Sequence, residues 1–165
     1  MKRLPFSLSL MLWLGLLLGL TAQKSKIGPL EQTLLENRWK KRVLLLVTPS
    51  PEYVLFLDQK ALLAPSEKEL AARDILVLDV RYDRISATDK LFLTRKIGAH
   101  PPHFTAVLIG KDGGVKQRSK TPISPPDLIG TIDKMPMRRQ EMQREKTRKG
   151  KPVDAPLPPG VIPKT

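Results

Sequence analysis

Ala106-Val107-Leu108-Ile109-Gly110-Lys111-Asp112-Gly113-Gly114-Val115-Lys116-Gln117-Arg118 is an apolar run, a turn signal and a second, more polar run. That pattern predicts a β-hairpin, and its place after two other strand signals decides the fold class. Arg42-Val43-Leu44-Leu45-Leu46-Val47, bounded by Pro49 and Pro51, and Ile75-Leu76-Val77-Leu78-Asp79-Val80 are nearly unbroken apolar stretches. Strands covered on both faces read this way, so both are expected to be buried. Between them, Glu52 to about Ala64 is read as a helix opened by Pro51, with Val54, Leu57 and Ala61 on one face. Ser66 with Glu69 forms a capping-box pair for a further turn ending near Arg73.

Working outward, Leu30, Leu34 and Leu35 recur at helical spacing from Pro29 to about Trp39, ahead of the first strand. Thr88 to Ile97 is expected to be an amphipathic helix in which Leu91 and Phe92 face away from Arg95-Lys96, with Gly98 ending it. Pro101 and Pro102 forbid helix after that. Beyond the hairpin, Ser124-Pro125-Pro126-Asp127 supplies an N-cap, prolines and an acid for a closing helix whose apolar stripe is Leu128, Ile132 and Met135. Met137 to Lys149 reads as a largely exposed helix. The order is β-α-β-α-β-β-α with a mixed central sheet and flanking helices, an α/β chain of thioredoxin-like topology. A doubly wound nucleotide-binding sheet would need more βα units and a phosphate loop, whereas Gly110, Gly113 and Gly114 lie in a hairpin.

Three segments are expected along the 165 residues. Residues 1–22 have the order of a secretory signal: basic Met1-Lys2-Arg3, an apolar stretch from Leu8 to Leu20, then Thr21 and Ala22. The apolar stretch is shorter than the roughly 20 residues of a stable membrane-crossing helix, so removal is favoured over retention as an anchor. No second long apolar run follows, and no integral membrane span is expected after removal. Residues 23–142 form the folded domain, and 143–165 a basic, proline-rich, disordered tail. The expected destination is secreted or periplasmic.

The chain carries 29 Lys and Arg against 16 Asp and Glu, a formal charge of +13, and no cysteine. Thiol peroxidase and disulfide-exchange chemistry, Cys-ligated zinc and iron-sulfur clusters are excluded for this chain by composition. No cofactor is expected.

Asn37-Arg38-Trp39-Lys40-Lys41-Arg42-Val43-Leu44-Leu45, the hairpin Leu108 to Lys116, and Leu128 to Met142 carry a family resemblance. Its strongest marker is Ile132-Asp133 followed by Met137-Arg138-Arg139-Gln140-Glu141-Met142. The stretches resemble a peroxiredoxin-like domain of unknown function that occurs in bacterial exported proteins and in vertebrate sushi-repeat-containing and coiled-coil-domain-containing matrix proteins. The resemblance covers about Leu34 to Met142 and implies a thioredoxin-like fold without a defined activity.

Domains of this fold carry a reactive cysteine just after the first strand, where unpaired N–H groups and the helix dipole stabilise a thiolate. Here that loop is Thr48-Pro49-Ser50-Pro51. Thr48 and Ser50 either help hold an anion or a backbone carbonyl, or cap the following helix. A proline precedes the third strand in such folds; Pro102 is nearest, with Phe104-Thr105 in the usual place. His100 and His103 lack a third partner for a metal site and are read as structural. A hydrolase built from Ser50, one of these histidines and an aspartate lacks a nucleophile-elbow pattern and stands only as the alternative to a binding module.

The basic residues are the better lead. Arg38, Lys40, Lys41 and Arg42 cluster about Trp39, and eight basic against three acidic residues follow from Arg138 onward. Such a field favours an exported protein, an anionic polymer or a lipid surface, against the plainer reading of a solvated exterior. With 5% aromatic residues and no recognition motif, nucleic acid is not expected.

Overall fold

The structure, a computed structural model, describes residues 27–100 and 102–149. The expected signal at 1–22, Pro101 and the proline-rich residues from Pro152 on lie outside them. Four strands make one mixed sheet: β1 (Arg42–Thr48), β2 (Ile75–Arg81), β3 (Thr105–Ile109) and β4 (Val115–Ser119), in the order β2-β1-β3-β4. β1 pairs in parallel with β2, Leu44 opposite Val77, and antiparallel with β3, Leu44 opposite Leu108. β3 and β4 form the antiparallel hairpin read from the sequence. A parallel pair followed by an antiparallel hairpin on its inner strand is the thioredoxin topology.

Both faces of the sheet are covered. Leu44, Leu46, Ala106 and Leu108 point into one core, and Val43, Leu45, Val47, Val107 and Ile109 into the other. This explains why β1 and β3 read as continuous apolar runs: each side of the pleat meets a helix layer. β2 corrects the expectation of a second buried strand. It is an edge strand, half-buried along most of its length, and its Asp79 faces out to accept from Lys60 at 2.8 Å.

The helices before and after the strands divide between the two layers. α1 (Pro29–Asn37) and α4 (Ala87–Phe92, continued by a π-turn at Leu93–Ile97) cover the Val43 side. α2 (Val54–Leu63), α3 (Glu67–Ala71) and α5 (Pro125–Asp133) cover the Leu44 side, and α6 (Pro136–Lys149) follows α5. α6 passes unbroken through position 142. Ser124 caps α5 by accepting from the Asp127 N–H at 3.3 Å, and Leu128, Ile132 and Met135 are buried, as read.

Three local readings are corrected. α2 begins at Val54 after Tyr53, not at Glu52, and buries Phe56, Gln59 and Leu63, while Val54, Leu57 and Ala61 face outward. The helix is apolar almost all round, so periodicity could not choose a side; burying Phe56 and seating the Gln59 amide did. In α4 the buried side is Asp89, Leu93 and Ile97, and Leu91 is exposed. Gly98, at φ +76°, ends the element as expected. The Ser66–Glu69 capping box does not form, because a 3-10 turn at Ala64–Ser66 runs directly from α2 into α3 and leaves no free helix start to cap.

α1 is held by a buried carboxylate. Asp89 sits in the first turn of α4, where Ser86 caps the helix by accepting from the Asp89 N–H at 3.1 Å. Its Oδ2 accepts from the Ser86 hydroxyl at 2.9 Å, and its Oδ1 accepts from the backbone N–H of Leu30 at 3.1 Å. The carboxylate therefore satisfies an orphan donor at the start of a helix 59 residues away. Gly28 is required there, since a Cβ at that position would lie 2.1 Å from Asp89 Oδ1.

Candidate functional site

The two ends of β1 present different chemistry. At its C-terminal end, Thr48 is fully buried and its hydroxyl donates to the Ser50 carbonyl at 2.6 Å. Neither side chain caps α2; the residue preceding that helix is Tyr53, which makes no side-chain cap bond. Ser50 and the prolines beside it are half-buried. The Thr48 hydroxyl is thus spent on closing its own loop, a local Ser/Thr turn that stiffens the strand exit. His100 and His103 are both exposed before β3, and Thr105 opens that strand opposite Val47. Among the described residues no group of three or more His, Asp or Glu is placed to hold a metal.

The N-terminal end of β1 gathers most of the remaining signals. α1 stops at Asn37 and the chain reverses through Arg38 to Lys41, with Trp39 in the left-handed region at φ +66°. For a bulky residue that conformation costs on the order of 1 kcal/mol. It is held by the Trp39 N–H donating to the Lys111 carbonyl at 2.6 Å, which ties the connector to the β3-β4 turn. Arg38 Nε donates to the Asp112 carbonyl at 2.9 Å, and its guanidinium lies 5.2 Å from the Trp39 ring centroid. Trp39 is 60% exposed. Lys40 and Lys41 are exposed, Lys41 lying 3.6 Å from Asp74 Oδ1.

Arg42 separates from this group. It is 1% exposed and turned inward, where its two terminal nitrogens donate to the two oxygens of Glu141, each at 3.2 Å, and one of them also to the Arg73 carbonyl at 2.8 Å. Lys111 Nζ reaches Glu141 Oε1 and Asp74 Oδ2, both at 2.8 Å. Arg73 makes a bidentate pair with Asp133 at 3.0 and 2.8 Å, and Arg138 donates to Glu145 at 3.2 Å. The result is a continuous clasp fastening α6 to the start of β1, the end of α3 and the hairpin.

Asp133, Arg138 and Glu141 belong to the sequence marker quoted above, so the clasp accounts for what that marker does in this chain. No local pattern in the sequence gives any of them a role. The available signal was the i, i+3 spacing of Arg138 and Glu141, with Glu145 one turn further on.

The clasp sets the protonation of its acids. Hydrogen bonding from Lys111 holds the Asp74 carboxyl below its ordinary value of 3.8, and the Arg73 bond does the same for Asp133. At Glu141 burial pushes the carboxyl up, but the bonds from Lys111 and Arg42 together overcome it and leave it below the ordinary 4.5. A carboxylate whose folded-state pKa is depressed adds stability that is complete above its unfolded value and lost as pH falls through the folded one. The melting temperature is therefore expected to be level from pH 7 down to about 5 and to fall below about pH 4.5. A Glu141→Gln variant should show a shallower fall. Parallel curves for the two proteins between pH 5 and 3 would refute this assignment.

Beside the clasp, the sheet end opens into a half-open cavity of about 350 Å³ under α1. Leu34, Val43, Phe92, Ile97 and Ile109 line it, with Arg38 and Lys41 at its hairpin end. Apart from those two cations, no residue of this cavity was singled out from the sequence as functional; its walls read simply as core positions.

The family described as "Domain of unknown function (DUF4174)" matches residues 33–141. Coiled-coil domain-containing protein 80 of Danio rerio is 28% identical over 149 residues, which are 75% of this chain. The match covers 17% of that much longer relative. Among solved structures, the reduced 2-Cys peroxiredoxin of Plasmodium vivax superposes with a TM-score of 0.48 at 15% identity, over 69% of this chain and 84% of that one. Thioredoxin peroxidase I of Plasmodium yoelii does so with a TM-score of 0.40 at 17% identity, over 77% and 86%.

Proposed function

Because this chain belongs to the DUF4174 family, a thioredoxin-like family without an assigned reaction, we propose that it is an exported, non-redox binding module for a polyanionic partner. The observation that carries the proposal is the exposed cationic turn ahead of β1, beside which the pair of buried Arg42 with Glu141 fastens the basic helix α6. Arg38, Lys40 and Lys41 project around an exposed Trp39, and α6, with exposed Arg144, Arg148 and Lys149, is fastened beside them by the Glu141 pairs with Arg42 and Lys111. Arg42 is a positioning residue in this reading, since its charge is spent on Glu141. The region 1–22 is read as the export signal and 23–142 as the domain that binds. Loose, exposed cations around an aromatic ring suit a sulfated or carboxylated polymer, which offers repeated charges and flat sugar faces.

The test is retention on immobilised heparin as a function of salt. The triple variant Arg38→Gln, Lys40→Gln, Lys41→Gln should bind about tenfold more weakly at low salt, from about 0.5 kcal/mol for each exposed contact. A charge-matched control replacing Lys68, Lys96 and Lys120, which are exposed elsewhere, should bind as the parent does. Equal losses in the two variants would mean that net charge alone binds, and would overturn the proposal.

A further inference from the structure

We propose that the cavity under α1 is a binding site for a single-chain amphiphilic anion, with the alkyl chain inside and the acidic head at Arg38 and Lys41. About 350 Å³ is near the lower end of ligand pockets, room for one extended chain and too little for a helix. The interior is apolar: Val43 and Ile109 form its floor at the sheet end, and Leu34, Phe92 and Ile97 its walls.

Charge gives the occupant a direction. Glu31, Leu34 and Leu35 line the cavity at i, i+3 and i+4 on one face of α1, and Arg38, the residue after its last turn, lines it too. Glu31 therefore lies about 10 Å along the helix axis from Arg38, at the opposite end. Arg38 donates Nε to the Asp112 carbonyl and lies over the Trp39 ring, while its two terminal nitrogens have no hydrogen bond among the described residues. Asp112, also on the rim, is neutralised by Lys116 at 2.6 Å. Lys41 adds a second cation whose contact to Asp74 is long, at 3.6 Å. An acidic head thus meets two cations at the hairpin end and avoids Glu31.

The backbone around the cavity points the same way. Trp39 holds a positive φ where α1 turns back, and α4 widens into a π-turn over Leu93–Ile97, ending on a wall residue. π-turns of this kind are uncommon in helices and concentrate at functional sites. The first adjoins Arg38 and the second ends on Ile97, both of which line the cavity.

The site shares Arg38 and Lys41 with the polyanion surface but rests on the cavity, so the two readings fail separately. Calorimetry with decanoate, decyltrimethylammonium and decanol on the full chain, with methyl NMR shifts to locate binding, tests it. Decanoate should bind, shifting the methyls of Leu34, Val43, Ile97 and Ile109; decanol and decyltrimethylammonium should bind at least fivefold more weakly. Leu34→Trp, which fills the cavity, should abolish decanoate binding and leave heparin retention unchanged. Should that variant fail to fold, Arg38→Gln, an exposed change, should still weaken decanoate by about fivefold. Equal affinity for all three amphiphiles, or shifts confined to the exposed Val54 and Leu57 of α2, would overturn the proposal.

Discussion

Replacing Glu141 by alanine is expected to destabilise the domain by about 3 kcal/mol, lowering Tm by roughly 10 °C. Arg42 and Lys111 are both buried, and Glu141 is the acceptor they share. Without it Arg42 keeps only the Arg73 carbonyl and Lys111 only Asp74, so cationic charge is left in a low-dielectric site. The magnitude is set toward the lower end of the range for broken buried pairs, since the Glu141 side chain retains 22% exposure and water can partly take its place. Arg42→Met with Glu141→Leu should cost far less than the sum of the single changes, because the double variant removes both charges at once. Urea unfolding of the four proteins gives the coupling. A Glu141→Ala cost below about 1 kcal/mol would mean that the clasp behaves as an exposed pair and does not hold α6.

Gln59→Leu is expected to cost about 3 kcal/mol despite being nearly isosteric and more apolar. The Gln59 amide is wholly buried and makes a reciprocal pair with the backbone of Ile123: its Nε2 donates to the Ile123 carbonyl at 3.0 Å, and its Oε1 accepts from the Ile123 N–H at 2.7 Å. It completes the connection between β4 and α5 as a neighbouring strand would. Leucine leaves both Ile123 groups unpaired in the core, each worth about 1 to 3 kcal/mol. Equilibrium unfolding measures the loss, and faster amide exchange at Ile123 should accompany it. A variant as stable as the parent would require the Ile123 groups to find water, contrary to the burial of that residue.

Glu141 and Gln59 both act through partners far away along the chain. Strands β1 and β3, the hairpin and the Ser124 cap were legible because each depends on neighbours a few positions away or on an unbroken apolar run, whereas the edge position of β2 was not. The face of α2 was not, because Val54, Leu57 and Ala61 are as apolar in the sequence as the face that was buried, and the polar Gln59 reads as solvent-facing. Arg42 read as one of four cations around Trp39. Only its acceptor, 99 residues further along, distinguishes it from Lys40. The Thr48–Pro51 loop was located correctly as the end of β1, but the hydroxyl of Thr48 is committed to Ser50 and does not cap α2.

From the chain alone followed the strand pattern, the thioredoxin-like order of elements and the absence of thiol chemistry, since burial on both faces and elemental composition are written residue by residue. Which cations stay in water, which are locked against carboxylates, and that α1 spans a cavity were decided only by tertiary structure. Charge pairing and void space depend on groups brought within about 4 Å from opposite ends of the chain, and no local pattern encodes that distance.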